Sequence, residues 1–163
     1  MIERTLVLLK PDAVQRAFAG EIISRFERVG LKIIGMKMKY VTEDFAMKHY
    51  TEDITRRRGE KVRKRLMGLL REGPVIAMVL EGVSAIEIVR KMVGTTEPKS
   101  AAPGTIRGDY SHISFEYADK KGIAVKNMIH ASADKKDAEY EVKLWFDKNE
   151  LHSYKTVHEV HLF

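Results

Sequence analysis

No cysteine occurs in the chain, which excludes disulfides, thiolate metal sites and cysteine nucleophiles together. Any zinc would have to rely on histidine and carboxylates. Long apolar runs are missing too, and nothing approaches the roughly 18 consecutive residues that a membrane span needs. No membrane association is expected. The first apolar run, Thr5 to Leu9, is too brief for a signal sequence and no small-residue cleavage site follows it, so the expected location is cytoplasmic. No repeat, low-complexity tract or linker divides the 163 residues, and the expectation is one domain over 1–163. Acidic residues are the minority: 23 Asp and Glu stand against 29 Lys and Arg, for a net charge of +6. An anionic partner follows, and both nucleic acid and nucleotide fit it.

What is present orders itself along the chain as follows. Thr5 to Leu9 reads as a central strand ended by Lys10-Pro11-Asp12, with Pro11 suited to a first helical turn. A lysine at the carboxyl end of a strand, facing a helix start, is where α/β sheets meet phosphate; the alternative is an ordinary exposed lysine. Ile22, Ile23, Phe26 and Val29 recur at helical spacing before Gly30, and Leu31 to Val41 alternates Met36, Met38 and Tyr40 against Lys37 and Lys39 as a half-buried strand. Thr42 caps a helix through Tyr50, and a second helix runs from about Glu60 to Arg71. The basic cluster between Arg56 and Arg65 is either a solvated helix face or a surface that steers polyanions.

Gly73-Pro74 then precedes the strand Val75 to Leu80. Ser84 and Glu87 have capping-box spacing for a helix from Ala85 to Val93, with Arg90 near its end. Gly94 to Asp109 reads as a long functional loop containing Pro103-Gly-Thr-Ile-Arg-Gly108. Alternation at Ile113, Phe115 and Tyr117, and again at Ile123 and Val125, predicts an inserted β-hairpin. His158 and His161 near the end are closely spaced, but with no further ligands they read as a surface tail rather than a metal site. The element order fits an α/β (α+β) ferredoxin-like sandwich: a four-stranded antiparallel βαββαβ sheet with added helices and that inserted hairpin.

The stretch from Val125 to Asp134 organises the rest. It sets His130 on a short apolar segment, with Asn127 before it and Ser132 after, and Asp134 can cap the helix that follows. That helix carries Ala138, Glu141, Val142 and Trp145 on one stripe, and an acid there is costly unless something pairs with it. His130 is the obvious partner, because a carboxylate on one ring nitrogen leaves the other free as a nucleophile. The structural alternative is an edge glutamate in water and a core histidine. On a plain strand Asn127 and His130 would point to opposite faces, so a turn or bulge must lie between them if both meet one ligand.

Lys10-Pro-Asp12, His49-Tyr50, Glu72-Gly-Pro-Val75, Pro103 to Asp109, Asn127-Met-Ile-His-Ala-Ser132, and Glu141 with Leu144-Trp-Phe146 together resemble the nucleoside diphosphate kinases, from about Ile2 to Tyr154. The resemblance implies ping-pong transfer of a γ-phosphoryl group from a nucleoside triphosphate to a diphosphate through a phosphohistidine. It implies Mg2+ carried by the nucleotide phosphates, a broad range of bases and a homo-oligomer, usually a hexamer. It assigns His130 as nucleophile, Glu141 as its orienting group with Ser132 assisting, and Tyr50 near the transferred group. Lys10, Arg90, Thr96 and Arg107 become phosphate contacts and Asn127 the sugar contact. Val62 falls where the family has an aromatic residue that stacks on the base, and weak base discrimination is expected.

Two further departures are Ala133, where the family commonly has Asp, and the Ser111 to Val125 insertion. A nucleic-acid-binding module on the same fold plan is the alternative reading, and such binding could coexist through Arg56 to Arg65; against it, no aromatic-rich strand of the RNA-binding type is present. An inactive scaffold would not need His130, Lys10 and Arg107 together.

Overall fold

The computed structural model describes residues 1–161. The last two positions of the single domain expected over 1–163 lie outside the described residues. Four strands, β1 (Ile2–Leu9), β2 (Lys32–Lys39), β3 (Val75–Val83) and β4 (Ile129–Ala131), form one antiparallel sheet in the order β2-β3-β1-β4. The helices are α1 (Pro11–Gln15), α2 (Ala19–Arg28), α3 (Glu43–His49), α4 (Glu52–Arg58), α5 (Glu60–Leu70), α6 (Ala85–Val93), α7 (Ile106–Tyr110), α8 (Phe115–Lys121), α9 (Lys135–Trp145) and α10 (Val157–His161). This is the ferredoxin-like plan with added helices.

β1 is apolar at every position from Leu6 to Leu9 because both of its faces are covered. Val7 and Leu9 join Met78, Leu80 and Ile129 under Ile22 and Phe26 of α2 and Val89 and Val93 of α6. Leu6 and Leu8 join Ala77 and Val79 under Ala46 of α3, Leu70 of α5, and Val142 and Trp145 of α9. The register sets Leu8 opposite His130, so the histidine projects on the α3 and α9 side of the sheet.

Three sequence expectations are corrected. The Ser111 to Val125 segment contains no β-hairpin; it forms α8, capped by the Ser114 hydroxyl, which accepts from the Tyr117 amide. Ser114 is a strong helix cap, and that outweighed the short alternation on either side. The capping box at Ser84 does not form, since Ser84 is left-handed at φ 49° and makes no cap hydrogen bond. The carboxylate of Glu3 accepts from the Ile86 amide instead. On β2 the alternation holds but the faces are exchanged: Met36, Met38 and Tyr40 are exposed. Lys37 and Lys39 lie over the rings of Phe146 and Phe45. A bulge between Ile33 and Gly35 places an extra residue in β2 and reverses the parity of everything after it.

Candidate active site

The expected long loop from Gly94 to Asp109 is more ordered than a loop: a 3-10 turn at Pro98–Ser100 leads to α7, capped by Thr105 Oγ1. Gly108 packs so closely there that a Cβ atom would lie 2.1 Å from the Ala102 carbonyl oxygen, so this position admits no side chain. α7 delivers Arg107, which is buried and donates to three backbone carbonyls: Gly94 at 3.0 Å, Asn127 at 3.4 Å and Ile129 at 2.6 Å. Burial lowers its pKa to about 10, and neighbouring Arg90 adds to the depression. Three of its five N–H donors are committed to carbonyls, leaving two for an anion.

Lys10 follows the last residue of β1 and is 2% exposed. Its ammonium donates to Asn127 Oδ1, while Asn127 Nδ2 donates to the Thr96 carbonyl at 2.7 Å. Desolvation lowers the Lys10 pKa to about 8, partly offset by the charge of Asp12. Lys10, Asn127, Thr96 and Arg107 are therefore joined in one network. Arg90, in the last turn of α6, and Thr96 are both exposed. Tyr50 ends α3 and is buried, and burial and then Glu141 push its phenol pKa upward.

His130 is paired as expected. Asp134 Oδ1 accepts from the Asp137 amide and starts α9, whose inward stripe buries Ala138, Glu141, Val142 and Trp145. Glu141 lies 2.9 and 3.0 Å from His130 Nε2 and accepts from Ser132 Oγ at 2.6 Å. Burial alone would raise the Glu141 pKa, but His130 and the donors around the carboxylate outweigh it and hold the group below its ordinary range. An ionised carboxylate only accepts, so Nε2 carries the ring proton and Nδ1 keeps its lone pair. Ser132 is itself fixed, its hydroxyl accepting from the Leu6 amide at 3.2 Å.

Two residues stand in this site without a role assigned from the sequence. His49 is buried, its ring 4.6 Å from that of His130 and nearly perpendicular to it. Its Nδ1 accepts from Trp145 Nε1 at 3.3 Å. Burial lowers its pKa to about 3, so the ring stays neutral. The helical spacing of Phe45 and His49 was the available signal. Asp12, within the quoted Lys10-Pro-Asp12, accepts from the Met128 amide at 2.8 Å.

His49, His130 and Glu141 are the one group of three metal-type ligands close together among the described residues. Two nitrogens and one carboxylate fit the all-oxygen octahedral preference of Mg2+ poorly. Val62 is half-buried on α5, next to Arg63, whose Nε donates to the Tyr50 carbonyl at 2.7 Å.

The nucleoside diphosphate kinase family model matches residues 3–151. The chain is 49% identical over 156 residues to a nucleoside diphosphate kinase of Borreliella burgdorferi, covering 95% of this chain and 93% of that one. It is 49% identical over 153 residues to one of Pyrococcus furiosus, covering 94% and 88% respectively. A transition state mimic of the Borrelia burgdorferi enzyme with bound vanadate and ADP superposes with a TM-score of 0.96 at 48% identity, over 98% of this chain and 96% of that one. A halophilic nucleoside diphosphate kinase from Halobacterium salinarum in complex with CDP gives 0.86 at 36% identity, over 100% and 99%. The chain belongs to the nucleoside diphosphate kinase family and is a phosphotransferase that moves the γ-phosphate of a nucleoside triphosphate to a nucleoside diphosphate.

Proposed function

We propose that His130 is the residue that carries the phosphoryl group, and that it does so on Nδ1. The observation that carries this is the Glu141 carboxylate on Nε2, which fixes the tautomer and leaves one nucleophilic nitrogen. The Nδ1 lone pair attacks the γ-phosphorus of a nucleoside triphosphate, the bond from phosphorus to the β–γ bridging oxygen breaks, and the diphosphate leaves with those electrons. The ring gains positive charge as the P–N bond forms, and Glu141 stabilises it through the Nε2 proton. A terminal oxygen of the second diphosphate then attacks phosphorus, and the P–N bond breaks to restore the neutral imidazole. No general base is required in either half.

The loose transition state needs positioning and charge at its equatorial oxygens rather than covalent help. Lys10, Arg107 and Arg90 supply charge, Tyr50 and Thr96 hydroxyls, Asn127 the sugar contact, and Ser132 holds Glu141. The Borrelia burgdorferi relative binds vanadate and ADP as a transition state mimic, which supports phosphoryl transfer on this fold. Mg2+ would enter with the substrate, carried by the nucleotide phosphates, and would offset part of their charge. With Val62 in place of a stacking ring, base contacts contribute little and the base range is broad.

Cytoplasmic location and a hexamer built from dimers complete the reading; exposed Met36 and Met38 on the edge strand, with Tyr40 just after it, support self-association. Initial rates with both nucleotides varied test the ping-pong scheme. Parallel double-reciprocal lines are expected, and lines that converge would mean direct transfer within a ternary complex.

A further inference from the structure

Between Asn127 and His130 the backbone makes a tight and costly turn. Met128 has φ 67°, a left-handed conformation that a side-chain-bearing residue rarely adopts. The Ile129 amide donates to the Asn127 carbonyl at 2.8 Å, closing a three-residue γ-turn of the strained, positive-φ kind. Only after this turn does β4 begin. Without it, an extended chain would send Asn127 and His130 to opposite faces of the sheet. With it, Asn127 meets Lys10 while His130 meets Glu141.

A strained turn persists only where its surroundings hold it. The Met128 carbonyl accepts from the Lys10 amide at 2.9 Å, and Arg107 holds the carbonyls of Asn127 and Ile129. The remaining group is the Met128 amide, and its acceptor is Asp12 Oδ2 at 2.8 Å, from a carboxylate 5% exposed. Lys10 and Arg107 are the phosphate contacts of the proposed function, whereas Asp12 has no such duty there.

We propose that Asp12 is a positioning residue for phosphoryl transfer, which holds the Met128 turn and thereby brings Asn127 and His130 to one substrate. The inference rests on His130 and Asn127 serving the same nucleotide. Its effect is on the reaction rate, because the turn aims the side chains of Asn127 and His130.

The test compares Asp12→Ala, Asp12→Asn, Asp12→Glu and the double variant Asp12→Ala/Met128→Gly in single-turnover phosphorylation by saturating nucleoside triphosphate, with thermal unfolding alongside. Asp12→Ala is expected to slow phosphoenzyme formation by about 30-fold or more. Asp12→Asn, which keeps an acceptor oxygen in place, should stay within about fivefold of the parent. Glycine takes positive φ without steric cost, so the double variant should regain about tenfold of the loss despite its missing buried side chain.

Asp12→Glu retains the charge but displaces the acceptor by one methylene; it should behave like alanine, and it substitutes for Asp12→Ala should that variant not fold. Glutamate active with asparagine impaired would overturn the proposal, assigning Asp12 a charge role toward Lys10. Absence of glycine rescue, or an Asp12→Ala rate equal to the parent's, would also overturn it. If the parent chain itself forms no phosphoenzyme, the reading of His130 fails, which is a separate result.

Discussion

At the residue scale the site depends on which protons are held and which are not. Glu141→Ala removes the acceptor from His130 Nε2 and also the partner of Ser132, so the expected loss is in the chemical step. A fall in kcat of about 100-fold, within the range of single charge-stabilising groups, is expected with nucleotide Kd changed less than about threefold. Equal losses in both, read from transient kinetics and equilibrium binding, would give Glu141 a structural part instead. Lys10 shows the opposite balance. Its pKa falls from 10.5 to about 8 because burial disfavours the charged form. The unfolded chain therefore binds the extra proton more readily, and Lys10 opposes folding below about pH 8, an effect that fades as pH rises toward 10.5. Lys10→Met should stabilise the free protein by about 1 to 3 kcal/mol, after allowing for the donor that Asn127 loses, while nucleotide affinity drops. In the parent chain affinity for nucleotide should weaken above about pH 8 as the ammonium is lost, and titration calorimetry across pH 7 to 9 checks it.

At the element scale the helices and sheet were legible because periodicity and caps agreed with each other. The α9 stripe and the Asp134 cap followed from spacing, which named His130 as the candidate partner of Glu141 while leaving a solvated glutamate open. What was not legible had long-range causes. The bulge in β2 is defined only against β3, and the Ser84 cap lost to Glu3, which is distant in sequence. The positive-φ position of the turn is Met128 rather than a glycine or asparagine that would announce it; the need for a turn could be stated from geometry, but not its kind. α8 was hidden by a short alternation, and it ties the insertion to the basic helix through an ion pair of Arg65 and Asp119 at 2.8 Å. That pair is largely exposed on the Asp119 side, so Asp119→Ala should cost no more than about 1 kcal/mol in denaturant unfolding. Gly108→Ala belongs to this scale as well. The added Cβ would strike the Ala102 carbonyl, which must shift α7 and with it Arg107. A loss of at least about 2 kcal/mol in stability and a raised KM for nucleotide are expected from unfolding and steady-state kinetics.

For the whole molecule, charge and acid stability are the testable properties. The basic stretch from Arg56 to Arg65 is largely answered internally: Arg56 and Arg57 pair with Asp53, Arg63 with Glu52, Lys64 with Glu60, and Arg65 with Asp119. Its net attraction for polyanions is therefore smaller than the count of cations implies. His49 governs the acid side. With a pKa lowered from 6.5 to about 3 by burial, it takes up a proton on unfolding, so stability falls as pH drops below about 6.5 and is lost progressively toward pH 3. At about 1.4 kcal/mol per pKa unit the full effect is of order 5 kcal/mol. Glu141, whose pKa is lowered in the fold, adds its own loss only below 4.5. His49→Gln should thus flatten the stability curve between pH 6.5 and 4.5, as measured by urea unfolding.

The decisive measurement is the site of phosphorus on the enzyme after exposure to γ-labelled ATP, read as an acid-labile, base-stable label and resolved to one ring nitrogen by phosphorus NMR. Phosphate on Nδ1 of His130, absent from His130→Ala, is the expected result. A label on Nε2, or one that survives His130→Ala, would contradict the claim that Glu141 reserves a single nitrogen for transfer.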